Sequence, residues 1–89
     1  MDAPSAGRRR RHIVFLTRPG CGLCDEALPR ARRVCRWLRR DVVVSDVSTD
    51  RALEDEYHLR IPVVLDQRGR VVAEGTFTTA QLVWALWRS

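Results

Sequence analysis

The 89-residue chain contains no lysine, and all sixteen of its basic residues are arginine. Arginine codons are GC-rich and lysine codons AT-rich, so this absence reads as coding bias and not as selection for phosphate binding. Long hydrophobic runs are missing as well. The apolar stretch Ile13-Val14-Phe15-Leu16 is ended by Thr17, Arg18 and Pro19. It is too short for the apolar core of a secretion signal and far too short to span a bilayer. A cytoplasmic protein without a membrane partner is therefore expected. Cysteine is sparse, with three residues and a single close pair. One pair supplies two metal ligands, whereas a structural zinc site takes four. Internal repeats are absent, and low complexity is confined to the first residues.

What charge there is lies mostly at one end. The net charge is +5, but without Arg8–Arg11 twelve arginines face eleven acids, leaving +1. Residues 1–11 hold Pro4, Gly7, Ser5 and that arginine run without apolar periodicity, and are expected to be a disordered basic tail. Nucleic acid is not an expected partner, because the remaining domain is nearly neutral. About 78 residues, 12–89, are left for one domain. A domain of that size buries only ~60–65% of its unfolded surface, so its core has to be compact.

His12 to Thr17 reads as a strand buried on both faces, and Arg18-Pro19-Gly20 as a turn. From about Gly22 to Arg39, Leu23, Cys24, Ala27, Leu28, Ala31, Val34, Cys35 and Leu38 mark the apolar side of an amphipathic helix. Pro29 removes one backbone hydrogen bond, but the apolar face continues in phase beyond it, which predicts a kinked continuous helix. Asp41 to Val47 reads as a second buried strand, parallel to the first through a right-handed crossover. A short helix to about Tyr57 follows, with Ser48 or Thr49 as its cap. Pro62–Leu65 and Arg70–Ala73 flank the hairpin loop Asp66-Gln67-Arg68-Gly69. Thr78 with Gln81 forms a capping box for the last helix, and Phe77 is placed to staple onto Leu82. The expected order is β-α-β-α-β-β-α, an α/β domain.

The chemistry concentrates at Cys21-Gly22-Leu23-Cys24, between the first strand and the first helix. Residues three apart on a helical turn lie ~5–6 Å from each other, within disulfide reach. A thiol at a helix N-terminus also faces free backbone N–H groups and the positive end of the dipole, which favour thiolate. Asp25 and Glu26 in the first turn oppose that effect. In a reducing compartment such a pair reads as redox or metal chemistry rather than a structural staple. Cys35 lies eleven residues after Cys24, ~16 Å along the axis, and is expected to be a core thiol. His12 and His58 read as strand-edge and helix-end residues. Trp37, Trp84 and Trp87 read as core and rim aromatics, an exposed pair being the mark of a partner surface.

Element order and the placement of this pair resemble the thioredoxin superfamily, in its minimal glutaredoxin-like form with a four-stranded mixed sheet flanked by helices. Four features carry the resemblance: Cys21-Gly22-Leu23-Cys24 at the strand–helix junction, Arg18 three residues before it, Pro29 five residues after it, and Ile61-Pro62 opening the third strand. The C-x-L-C motif, Asp25-Glu26-Ala27 and Ile61-Pro62-Val63-Val64 look like the short bacterial glutaredoxin-family proteins. The resemblance covers residues 12 to 88 and implies a thiol–disulfide oxidoreductase. Cys21 would attack a disulfide as thiolate and Cys24 would resolve the mixed disulfide. Arg18, Gly22, Leu23, Ile61 and Pro62 would form the substrate-binding surface, with a cis bond before Pro62. The implied partners are a disulfide-containing protein or a low-molecular-weight thiol, acting on a monomer with no bound cofactor and no metal.

Departures from the family pattern narrow these expectations. Phe15 stands where thioredoxins carry a buried aspartate, so no internal base is expected beneath the pair. Ile61 replaces the residue of the usual Thr-Val-Pro element, and Glu74-Gly75 replaces a glycine pair. Glu74, if turned toward the site, would repel a glutathione carboxylate, which argues against glutathione as co-substrate. Two other classes fit part of the pattern: a binding or adaptor domain on the same fold with incidental cysteines, and a dimer sharing a metal or iron–sulfur cluster through Cys21.

Overall fold

A computed structural model describes residues 11–89 of the chain; the expected basic tail, residues 1–10, lies outside the described residues. Strand β1 (His12–Thr17) leads through a short turn into helix α1 (Gly22–Leu38) and then strand β2 (Asp41–Asp46). A single 3-10 turn (Val47–Thr49), helix α2 (Arg51–Tyr57), strands β3 (Val63–Leu65) and β4 (Val71–Glu74) and helix α3 (Thr79–Arg88) complete the order. The four strands form one sheet in the order β2-β1-β3-β4. β1 runs parallel to β2 and antiparallel to β3, and β3 runs antiparallel to β4. Arg11, counted with the tail on composition, joins this framework: its carbonyl accepts from the Asp41 N–H at 3.0 Å and its guanidinium donates to the Ser89 carbonyl at 3.2 Å.

Strand alternation sorts the core into two faces. Side chains of successive strand residues point to opposite sides of a sheet. Ile13, Phe15 and Val64 accordingly pack with Cys24, Ala27, Ala31, Val34, Cys35, Phe77, Leu82 and Leu86, beneath α1 and α3. Val14, Leu16, Val63 and Leu65 pack with Val47, Leu53 and Tyr57 on the α2 side. The result is three layers, helix–sheet–helix, with the central strands β1 and β3 covered on both faces.

Helix α1 runs unbroken through Pro29, which lies on its exposed side. Its buried positions Cys24, Ala27, Ala31, Val34 and Cys35 hold the apolar phase before and after that residue. The helix ends where Arg39 adopts a left-handed conformation (φ 59°), its N–H donating to the Arg36 carbonyl while Arg40 N–H donates to the Cys35 carbonyl at 2.8 Å. Helix α3 opens on both halves of the capping box: Gln81 N–H donates to Thr78 Oγ1 (3.0 Å) and Thr78 N–H to Gln81 Oε1 (2.8 Å). Such a cap stabilises a helix by about 1 kcal/mol. Phe77 and Leu82 are both buried in the same cluster.

Three expectations are corrected. β2 is not buried on both faces: Val43 and Val44 are 49% and 41% exposed. It pairs only with β1 and forms the sheet edge, so its valine run reflects strand preference and not double burial. The cap of α2 is Asp50, whose carboxylate accepts from the Leu53 N–H at 3.2 Å. Ser48 instead donates through its hydroxyl and N–H to Asp46, closing the preceding 3-10 turn and holding the Asp46 carboxyl below the usual carboxylate range. The tryptophans are not core residues. Trp37, Trp84 and Trp87 are 74%, 61% and 73% exposed.

Candidate functional site

The Arg18-Pro19-Gly20 turn delivers Cys21 to the start of α1. Gly20 takes a positive φ of 80°, which an L side chain rarely adopts, and lets the chain reverse in three residues. Cys21 then has extended backbone angles and acts as the helix N-cap. Its carbonyl accepts the first intrahelical bond from Asp25 N–H at 3.0 Å, and its sulfur accepts from Cys24 N–H at 3.2 Å. An N-cap is usually an oxygen that satisfies an orphan N–H of the first turn. Here a sulfur does so.

The two cysteines sit in different surroundings. All three cysteines of the chain are free; Cys21 is partly exposed, whereas Cys24 is 1% exposed and belongs to the main core cluster. Burial pushes the Cys24 thiol up from its ordinary value, and its hydrogen bond to Cys21 adds to the rise, while a hydrogen bond with Thr17 draws it back. An outer sulfur with an N–H donor and an inner sulfur held as thiol thus stand one turn apart. Phe15 is fully buried in the cluster that contains Cys24.

The remaining residues singled out from the sequence fall into two groups. Gly22 and Leu23 are exposed on the first turn of α1, and Leu23, 51% exposed, does not join the apolar face to which its periodicity assigned it. Leu23 lines a cleft of about 360 Å³ with Glu26, Arg30, Gly75, Thr76 and Thr78. Ile61 is partly buried against both core clusters and Pro62 is fully buried; the bond between them is cis. The Pro62 carbonyl accepts from Gly75 N–H at 2.8 Å, which ties the Ile61-Pro62 element to the loop bordering that cleft. Arg18 adjoins the pair through its backbone, which hydrogen-bonds Cys24, while its guanidinium pairs with Glu54 of α2 at 3.6 Å.

Arg30 and Glu54 contact the residues around the pair, although the linear sequence did not single them out. Arg30 donates to the Phe77 carbonyl at 3.1 Å and so spans α1 and the loop before α3. Its spacing of seven from Leu23 is the signal that both share a helix face. No local pattern links Glu54 to Arg18, thirty-six positions away. Glu74 does not line the cleft; its carboxylate is held by Arg60 at 2.7 and 3.1 Å. The repulsion expected of it toward an anionic ligand is met by that guanidinium. Among the described residues no group of three or more His, Cys, Asp or Glu side chains is arranged to hold a metal ion, and no helix is long and apolar enough to cross a membrane.

Comparison with known proteins agrees with this geometry. A family model described as Glutaredoxin-like domain (DUF836) matches residues 12–86. No curated protein is significantly similar to the chain. Among solved structures, the target protein XcR50 from X. campestris is 29% identical, with a TM-score of 0.63 over 86% of this chain and 97% of that one. Protein Ne2328 from Nitrosomonas europaea is 22% identical, with a TM-score of 0.69 over 86% of this chain and 91% of that one. Thioredoxin 1 from Thermosipho africanus TCF52B is 16% identical, with a TM-score of 0.66 over the same shares, 86% and 91%. The last two share the thioredoxin-like fold, and the family match spans nearly all of the described domain. The chain therefore belongs to the glutaredoxin-like domain family of the thioredoxin superfamily.

Proposed function

We propose that the protein is a dithiol thiol–disulfide oxidoreductase. The observation that carries this reading is the pairing of a partly exposed N-cap sulfur, Cys21, with the buried Cys24 thiol one turn inside. The Cys21 thiolate attacks one sulfur of a substrate disulfide. That S–S bond breaks, the other substrate sulfur leaves as thiolate and takes a proton, and a mixed disulfide forms on Cys21. Cys24 then loses its proton and attacks the Cys21 sulfur, releasing the second substrate thiol and leaving a Cys21–Cys24 disulfide. Two electrons have passed from the dithiol to the substrate. A low-molecular-weight thiol or dithiol returns them.

The elevated Cys24 thiol suits the second step. As a neutral thiol it does not compete with Cys21 for the substrate, and it becomes a nucleophile only beside the newly formed mixed disulfide. Pre-reduced wild-type protein is expected to reduce a disulfide in a single turnover. Cys24→Ser is expected to stop at a mixed disulfide, visible by intact-mass spectrometry as an adduct on Cys21. An absence of turnover by wild type with any thiol reductant, or equal turnover by Cys21→Ser, would sink the proposal and leave a binding domain.

A further inference from the structure

Leu23, Glu26, Arg30, Arg33 and Trp37 follow one another at spacings of three or four and form a single stripe along α1. The upper part of that stripe borders the cleft described above. The lower part borders a second, larger concavity of about 520 Å³, lined by Arg33, Val34, Arg36, Trp37, Thr79 and Val83. Thr79 lines both. The two are thus sections of one furrow between α1 and α3, which starts beside the cysteine pair and ends at Trp37. Trp84 and Trp87, adjacent to Val83 and one turn beyond it on α3, are exposed as well.

Charge limits what fits there. The Arg33 and Arg36 guanidinium groups take no hydrogen-bond or ion-pair partner among the described residues. No carboxylate lines the lower section; Glu26 borders the upper cleft with Arg30, and Glu54, Glu56 and Glu74 pair with Arg18 and Arg60. An apolar floor edged by unpaired guanidinium groups selects an apolar segment that carries acids. The chain's own first ten residues, with arginines at 8 to 10, carry the wrong sign.

We propose that the α1–α3 furrow docks an acidic, apolar segment of the polypeptide whose disulfide is reduced at Cys21, with Trp37 and Val83 as its apolar seat and Arg33 and Arg36 reading its carboxylates. This rests on the redox reading of the cysteine pair and names its substrate class as a protein. Leu23 and Trp37 are fourteen residues apart on α1, ~21 Å along the axis. An extended chain covers that distance in about six residues. The acidic, apolar segment therefore sits about six residues from the reactive disulfide.

The test uses the pre-reduced full chain in single-turnover reactions with three oxidised probes. The first is neutral 2,2′-dithiodipyridine. The second is a disulfide peptide with a phenylalanine flanked by two glutamates six residues from the disulfide. The third is the same peptide with lysines for the glutamates. The glutamate peptide is expected to react on the order of ten-fold faster than the lysine peptide at low salt. Arg33→Glu with Arg36→Glu should reverse that order, and Trp37→Ala should slow both peptides. Dithiodipyridine should react at the wild-type rate in every one of these variants. Moving the Phe–Glu cluster next to the disulfide should abolish the advantage.

Equal rates for the two peptides, or an equal loss on dithiodipyridine in the variants, overturns the docking proposal. So does a Trp37-dependent dimer in sedimentation, or Arg33- and Arg36-dependent binding to anionic vesicles without any peptide preference. Failure of the redox reading is separate: wild type would then leave dithiodipyridine unreduced. Binding of the glutamate peptide to Cys21→Ser protein, followed by tryptophan fluorescence, still decides the furrow in that case.

Discussion

The two ends of α1 carry the same residue type in opposite circumstances. At the N-terminal end Cys21 is partly exposed, its sulfur accepts a backbone N–H, and Cys24 lies one turn beneath it. Toward the C-terminal end Cys35 is 1% exposed in the core, and burial pushes its thiol up to about 11. The helix N-terminus provides donors that stabilise a thiolate; the interior provides none, so there the neutral thiol packs as a small apolar side chain. On the proposed function, position on a single helix thus separates a nucleophile from filler without a change of residue.

Serine substitution should break that symmetry most strongly. Cys21→Ser is expected to lose disulfide reduction completely with little change in stability, because the hydroxyl can cap α1 as the sulfur does. Cys35→Ser is expected to do the reverse. Its hydroxyl enters the core cluster, costs about 1–3 kcal/mol if unpaired, and leaves turnover at the wild-type level. Urea denaturation and single-turnover assays on the two variants, run side by side, decide the contrast. A redox defect in Cys35→Ser without loss of stability would contradict it.

The pH dependence of stability sharpens the same comparison. The folded Cys35 thiol ionises near 11, above the ordinary value of 9.0, so the folded state holds its proton more tightly than the unfolded state. The associated stability is fully present below about pH 9 and is lost as pH rises through 11. Its size is on the order of 2 kcal/mol. Cys24 shifts in the same direction, also through burial. Denaturation at pH 8 and pH 11 should show a fall in wild type that is smaller, but not absent, in Cys35→Ala. An unchanged fall would mean that Cys35 is not sealed as described.

The site end of α1 was easier to read from the sequence than its surroundings. Cys21 and Cys24, the in-phase apolar face through Pro29 and the Thr78–Gln81 box are local signals, each set by spacing within a few residues. The continuous apolar run His12–Thr17 likewise marks a strand buried on both faces, with Ile13 and Phe15 on one and Val14 and Leu16 on the other. What failed depended on distance or on competition. Val43 and Val44 look buried in one dimension and are exposed only because β2 is the sheet edge. Ser48 and Thr49 both qualify as caps, but Asp46 captures Ser48 for a separate turn, leaving Asp50 to start α2. Nothing local announces that Glu54 lies within 3.6 Å of the Arg18 guanidinium. Three tryptophans in amphipathic segments suggested core and rim, and only the rim part holds; that α1 and α3 leave a furrow between them is a property of packing.

The smallest expected effect lies at the quiet end of the helix. Arg39 closes α1 at φ 59°, a left-handed conformation that costs an L side chain energy and glycine little. The two backbone bonds of that closure, from Arg39 and Arg40, do not involve the side chain. Arg39→Gly should therefore keep the closure and relieve the conformation. Glycine's greater freedom in the unfolded chain offsets part of the gain, leaving a net stabilisation of roughly 0.5 kcal/mol. Chemical denaturation should register this as a slightly higher midpoint with an unchanged slope. Reduction of dithiodipyridine should be identical to wild type, because nothing at this end touches Cys21. A lower midpoint would mean that the Arg39 side chain stabilises the helix end through contacts that outweigh its backbone strain. A changed rate would mean that the two ends of α1 are coupled, and that the separation of nucleophile from filler depends on the whole helix and not on its first turn alone.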